Sequence, residues 1–294
     1  MAGNMSGMMT SALGVLFDGI AYGMLLFLLS VGLSVTLGMM NFINLAHCSF
    51  AMLGGYVAVG LTDSLDWPFL ATLPAAFLAA AFLSVLVERI LYRRLYRASE
   101  LDQCLLTIGI VFVSVAAAAY FFGTVQQSVK LPSYLRGSVS ILSQSFGVYR
   151  LFLIAMSLLV SVVLIVALEY TRFGAQVRAA VDNQRMARGL GIDVDRVFAI
   201  AFALGSGLAG LGGALAVEIV GLDHAFAFNF LVYVLIVVAV GGLGSIAGSF
   251  AAAIVLGISD MAGKYYVPEL GAFLIYLVML VLLMWRPVGL FGRR

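Results

Sequence analysis

The chain has 294 residues, of which 63% are hydrophobic and 10% charged, with a net charge of +2 and a mean hydropathy of +1.12. A soluble domain carries roughly a quarter of its residues as charges, so this composition excludes a water-soluble globule. It describes a polytopic, all-α membrane protein, read as a single transmembrane domain over residues 1–294, surrounded by membrane lipid and with no nucleic acid among its expected partners.

The N-terminal "MAGNMSGMMTSALG" has no basic n-region and no clear cleavage site, so a cleaved signal peptide is not expected. Apolar runs follow at 12–37, 43–61, 68–91, 103–122, 150–169, 197–220, 229–241, 246–262 and 270–285. They predict about eight to nine membrane segments, the seventh short and the second polar. Backbone groups in lipid must be satisfied within the segment, which favours helices. The runs are also too continuously apolar for the alternating strands of a barrel. No charge occurs from Gly19 to Thr62, room for two passes at about 20 residues each.

Inside that uncharged region lies "GMMNFINLAHCSFAMLGGY", residues 38–56. It places Asn41, Asn44, His47, Cys48 and Ser49 within nine residues. Polar groups in such a setting either line a solute path or satisfy an irregular backbone and hold neighbouring helices together. Asn41, Asn44, His47 and Ser49 are the candidate pathway residues of this half. His47 has no charged neighbour in sequence and is expected to act as a neutral hydrogen-bonding group. Cys48 and Cys104 form neither a disulfide framework nor a metal-ligand spacing.

Twelve of the sixteen basic residues cluster at Arg89–Arg97, Arg172–Arg196 and Arg286–Arg294. The positive-inside rule places these clusters in the cytoplasm, the N-terminus outside and the C-terminus inside. Residues 123–149 then form an extracellular loop. Its alternating Val, Leu and Ser suggest a small hairpin.

The second unusual stretch is a cytoplasmic loop, residues 174–193. Residues 174–188 read as one helix, ended by Gly189 or Gly191. Asp193 or Asp195 caps the next helix near Val197. In the helix "FALGSGLAGLGGALA", Gly205, Ala209 and Gly213 form one small-residue face and Ser206, Gly210 and Ala214 another. Both are expected to pack within the subunit.

Near the C-terminus, "GGLGSIAGSFA" echoes the first polar stretch, since Ser249-Phe250-Ala251 matches Ser49-Phe50-Ala51. Two discontinuous helices in an internal repeat would set Gly241, Gly242, Gly244 and Ser245 opposite the first break, near the membrane midplane.

Three stretches carry a resemblance: "GLSVTLGMMNFINLAHCSFAMLGGY", "GAQVRAAVDNQRMARGLGIDVDRVFAIAFALGSGLAGLGGAL" and "VAVGGLGSIAGSFAAAIVLG". Together they resemble the branched-chain amino acid permease family of bacterial ABC importers (the LivH type), from about residue 14 to 292. The usual "NFAHG" is "NLAHC" here, with Leu45 and Cys48 as departures. The resemblance implies that Gly174 to Asp193 seats on an ATP-binding subunit. Ala180, Asp182, Asn183, Ala187, Gly191 and Asp193 match the family's loop, and Arg178 and Arg185 add charge to it. It further implies a second homologous permease, two cytosolic ATPases and a periplasmic or lipid-anchored solute-binding protein. No cofactor is expected in this chain, because ATP and Mg would be bound by the ATPases. The chain lacks G-x-x-x-x-G-K-[ST], so no ATP hydrolysis is expected here.

The implied solute is a branched-chain or other hydrophobic amino acid. Relatives that import urea, short amides or aromatic acids share the scaffold. The reading from another class is an ion-coupled secondary transporter or channel. Against it, Glu88, Glu169, Glu218 and Asp260 all fall near run ends, whereas ion coupling usually leaves charges deep in the membrane.

Overall fold

A computed structural model of the chain describes residues 2–40, 44–95, 98–141 and 144–292. Helix α1 spans Ala2–Met40, α2 His47–Ser64 and α3 Phe69–Val87. α3 continues through a π-helical turn, Glu88–Tyr92, into the short α4, Arg93–Leu95. Then come α5 Glu100–Phe122, α6 Val148–Glu169, α7 Arg172–Asp182 and α8 Gln184–Gly189. The last four are α9 Val194–Val220, α10 Phe226–Gly241, α11 Ile246–Tyr266 and α12 Gly271–Trp285. Each apolar run of the sequence thus became a helix. Among the described residues, six helices are long and apolar enough to cross a membrane, and two shorter apolar ones lie in α10 and α12.

Side-chain caps begin many of these helices. Ser99, Thr171, Asn183, Asp193 and Ser245 each accept a bond from a first-turn backbone N–H, which satisfies donors that a helix start leaves open. Gly123, Gly221 and Gly242 follow α5, α9 and α10 with positive φ, a conformation that lets the chain leave the helix without strain.

The centre of the molecule is α1 against α9. The apolar window of α1 is 89% buried and that of α9 83%, against 17% for α5, 22% for α6 and 28% for α3. Small residues bring the central helices to backbone contact. A Cβ on Gly205 would stand 2.7 Å from the Gly32 carbonyl oxygen, and one on Gly213 only 1.8 Å from that of Ala51. Gly210 fits against Ala76 and Ala80 of α3, and Gly257 of α11 against Gly23 of α1. The small faces of α9 are therefore used inside the chain, as expected. The outward faces of α3, α5 and α6 stay apolar and uncovered, with Phe82, Leu105, Val113, Phe121 and Val162 all exposed. That is the surface of a multi-pass membrane protein, whose solvent is the lipid tail.

The described basic clusters come to one end of the bundle. Tyr92, beside Arg93 and Arg94, reaches Asn44, which follows the end of α1. Val177 of α7 and Val194 and Val197 of α9 pack with Val35 of α1 and Ile246 of α11. Leu290 and Phe291, following Arg286, bond to Val240 and Gly241. At the other end, Asp18 pairs with Arg150. There a two-stranded hairpin, β1 Ser138–Ile141 with β2 Gln144–Gly147, pairs antiparallel in the register Ser138↔Gly147. This is the short hairpin that the alternating residues suggested.

Candidate functional site

The first break lies between α1 and α2. Asn41 falls outside the described residues. Asn44 is 1% exposed and organises the turn. Its Oδ1 accepts from Ala46 N at 3.1 Å and from the Tyr92 hydroxyl at 3.0 Å, and its carbonyl accepts from His47 N at 3.2 Å. The Tyr92 contact fixes the π-helical end of α3 to the break, joining residues 48 apart in sequence. A π turn inserts one extra residue per turn and re-aims the side chains after it. Here it accompanies a buried tyrosine turned onto the break.

His47 is also 1% exposed. Its Nε2 lies 3.0 Å from the Leu29 carbonyl. A carbonyl only accepts, so Nε2 carries a proton and donates it to Leu29. The partner residue shows that α2 starts alongside α1 about three turns before that helix ends.

Ser49 is placed differently. Its hydroxyl accepts from Ser114 of α5 at 2.8 Å and borders a cavity of about 260 Å³ between α2, α3 and α5. Met52, Leu83, Val87, Ile110 and Phe121 are among the residues of its wall. Tyr56 also faces it, and its buried hydroxyl has no partner among the described residues. Of the described polar candidates in this half, the structure puts Ser49 on the cavity and Asn44 and His47 in the packed interior.

The second break, residues 242–245, is closed by the chain itself. Gly242 sits against Gly292, where a Cβ would come within 2.6 Å of the backbone nitrogen, and Gly244 sits equally close to the Cα of Gly38. Gly241 packs on Gly248 and Ser249. Ser245 caps α11 through Gly248 N at 3.0 Å. The close backbone approach at these glycines is thus made by the chain's own residues. Residues of α1 ahead of the first break reach the second break and the start of α11: Gly38 touches Gly244, and Ser34 bonds Ser249 at 2.5 Å.

The loop at 174–193 is two helices and not one. Asn183 has extended backbone and its side chain accepts from Met186 N at 3.0 Å, so it ends α7 and caps α8. Asn competes with helix continuation in this way because its side chain reaches nearby backbone donors. Ala180 and Ala187 are buried against Val35, Val194 and Phe198 and anchor the pair. Asp182, Arg185, Met186 and Leu190 project outward. Gly191 has φ +84° and turns the chain into α9, which Asp193 caps through Arg196 N at 3.1 Å. Arg188 pairs with Asp195 at 2.8 Å. Arg178 folds back onto the Leu168 carbonyl, so it braces the loop's root.

Sequence reasoning missed the partners that lie far away in the chain. Tyr92 and Ser114 gave no local signal of their contacts to the first break. It also gave no signal that two acids are buried. Glu88 and Asp260 lie near run ends in sequence, yet they are 1% and 0% exposed. Arg93 lies 3.8 Å from Glu88 and Lys264 2.6 Å from Asp260. No group of three or more metal-binding side chains occurs among the described residues.

Comparison with known proteins fits this architecture. The chain is 25% identical to the high-affinity branched-chain amino acid transport system permease protein LivH of Salmonella typhimurium, covering 95% of this chain and 94% of that protein. It is 28% identical to a probable branched-chain amino acid transport permease protein LivH of Methanocaldococcus jannaschii, covering 95% and 92%. It is also 25% identical to the LivM permease protein of the Salmonella typhimurium system, covering 91% of this chain and 68% of that one. No solved structure matches the chain. The family described as branched-chain amino acid transport system, permease component, matches residues 15–283, and the chain belongs to that family.

Proposed function

We propose that this chain is one permease subunit of an ATP-driven importer in the cytoplasmic membrane, and that its solute is a branched-chain or other hydrophobic amino acid. The observation that carries this reading is the α7–α8 pair. It is anchored to the bundle by Ala180 and Ala187, yet it turns Val181, Asp182, Arg185, Met186 and Leu190 outward. An apolar and charged patch of this kind, at the basic end of the bundle, suits a cytosolic protein that grips it. Two ATPase subunits, which bind ATP and Mg, would supply that grip. A second homologous permease would cover part of the exposed apolar flank, in line with the similarity to both LivH and LivM. A solute-binding protein would dock at the opposite end, near the β1–β2 hairpin.

In this reading nine helices cross the membrane, α2 entering from about three turns before the end of α1, with the N-terminus outside and the C-terminus in the cytoplasm. The solute passes near Ser49 and its cavity, and the turns at residues 44–46 and 242–245 form the hinge region of a two-half repeat. The test is ATP hydrolysis by the complex reconstituted with its partner subunits, across a panel of branched amino acids, urea, short amides and aromatic acids. Stimulation by branched amino acids is the expected result. Stimulation by urea or amides alone would reassign the solute, and solute flux without ATP would overturn the ATP-driven reading.

A further inference from the structure

About three turns along α11 from Ser249, at the end opposite the basic clusters, lies a charged site that the cavity and the two breaks leave unused. Asp260 is 0% exposed. Its Oδ2 accepts from Lys264 Nζ at 2.6 Å, and its Oδ1 has no partner among the described residues. The Lys264 ammonium stands 5.3 Å from the ring centre of Tyr22 of α1. Tyr233 of α10 and Tyr276 of α12 stack at 6.3 Å, and the carboxylate is near enough to Tyr22 and Tyr233 to act on both electrostatically. Four helices therefore converge on one carboxylate.

Burying that carboxylate costs several kcal/mol, and a single partner with one acceptor oxygen left open offsets this poorly. The partner is also loosely held, because the Lys264 side chain is 49% exposed and sits on a flexible stem. A carboxylate beside an aromatic face is the environment that recognises an organic ammonium. Lys264 thus occupies an ammonium site as a tethered ligand that is free to swing out.

We propose that Asp260 receives the ammonium group of a zwitterionic solute, and that the displaced Lys264 pairs with the same solute's carboxylate. The proposal rests on the amino acid reading above. The exchange leaves no charge unpaired: one carboxylate and one ammonium are matched before, and two of each after. A solute with neither group, such as urea, cannot displace the lysine. One with only one group strands either Lys264 or its own carboxylate. Selection for zwitterions is thereby built into the permease, apart from any delivery protein.

The experiment uses the complete transporter in liposomes, with leucine and urea as probes. Asp260→Asn combined with Lys264→Gln keeps the size of the pair and a neutral hydrogen bond, so a purely structural role survives it. Leucine uptake should fall about tenfold or more in this double variant, with assembly and solute-independent ATP hydrolysis as in the wild type. In parallel, the modification rate of Lys264 by an amine reagent is followed in the unaltered chain, which has Lys130 as an internal control. Saturating leucine should change that rate and urea should not. Wild-type leucine uptake in the double variant, or a Lys264 rate indifferent to leucine, overturns the proposal. If the double variant fails to assemble, the Lys264 rate decides alone. An unaltered transporter that takes up urea and no leucine sinks the amino acid reading and this proposal with it, whereas leucine uptake that ignores the substitutions sinks the proposal only.

Discussion

Replacing Asn44 with leucine is a direct test of how the first break is held. The side chains are similar in size, so the change removes hydrogen-bonding atoms and little volume. Asn44 Oδ1 is the acceptor for Ala46 N at 3.1 Å and for the Tyr92 hydroxyl at 3.0 Å. Stranding the buried Ala46 N–H costs about 1–3 kcal/mol, and the lost tyrosine bond about 1 kcal/mol more. The Asn44 Nδ2 group is itself buried without a partner among the described residues, and its removal returns about 1 kcal/mol. The expected net loss is about 1–3 kcal/mol. Tyr92→Phe removes the shared bond and should cost about 0.5–1.5 kcal/mol. The assay is denaturing-detergent unfolding of the purified chain in mixed micelles, for both single variants and the double variant. The double variant should lose about 1 kcal/mol less than the sum of the singles, because the shared bond can be lost only once. Strictly additive losses, or an Asn44→Leu chain as stable as the wild type, would refute the bond between the break and the π turn. Transport adds a second readout. If Asn44 also meets solute, Asn44→Leu loses more uptake than Tyr92→Phe at matched expression.

Two further outcomes are expected. Asp182→Ala with Arg185→Ala should weaken ATPase retention or uncouple hydrolysis from uptake while the membrane domain stays folded, since both side chains are exposed; wild-type uptake with ATPases retained, measured in proteoliposomes, would contradict the docking role. Single cysteines at Ser138 and Gln184, both exposed, in a background lacking Cys48 and Cys104, should be labelled by an impermeant reagent from opposite faces of the membrane, and labelling of both from one face would contradict the orientation.

The apolar runs by themselves determined where the helices form. A run of about 20 residues without charge has one low-energy form in lipid, because a helix satisfies its own backbone. Caps were equally local: Asp193 reads as a helix start because its side chain reaches a donor three residues on. The break at Asn183 is local chemistry too, although the good helix formers around it masked it. What the sequence left open were matters of distance. The stretch from Asn44 to Ser49 has one composition, yet the fold turns Asn44 and His47 into the interior and Ser49 to a cavity, because Leu29, Tyr92 and Ser114 arrive from three other helices. Asp260 and Glu88 sit near the ends of apolar runs, where water is expected, but neighbouring helices close over them. Position along one helix sets depth, whereas burial depends on what packs against each face, and only the tertiary structure decides that.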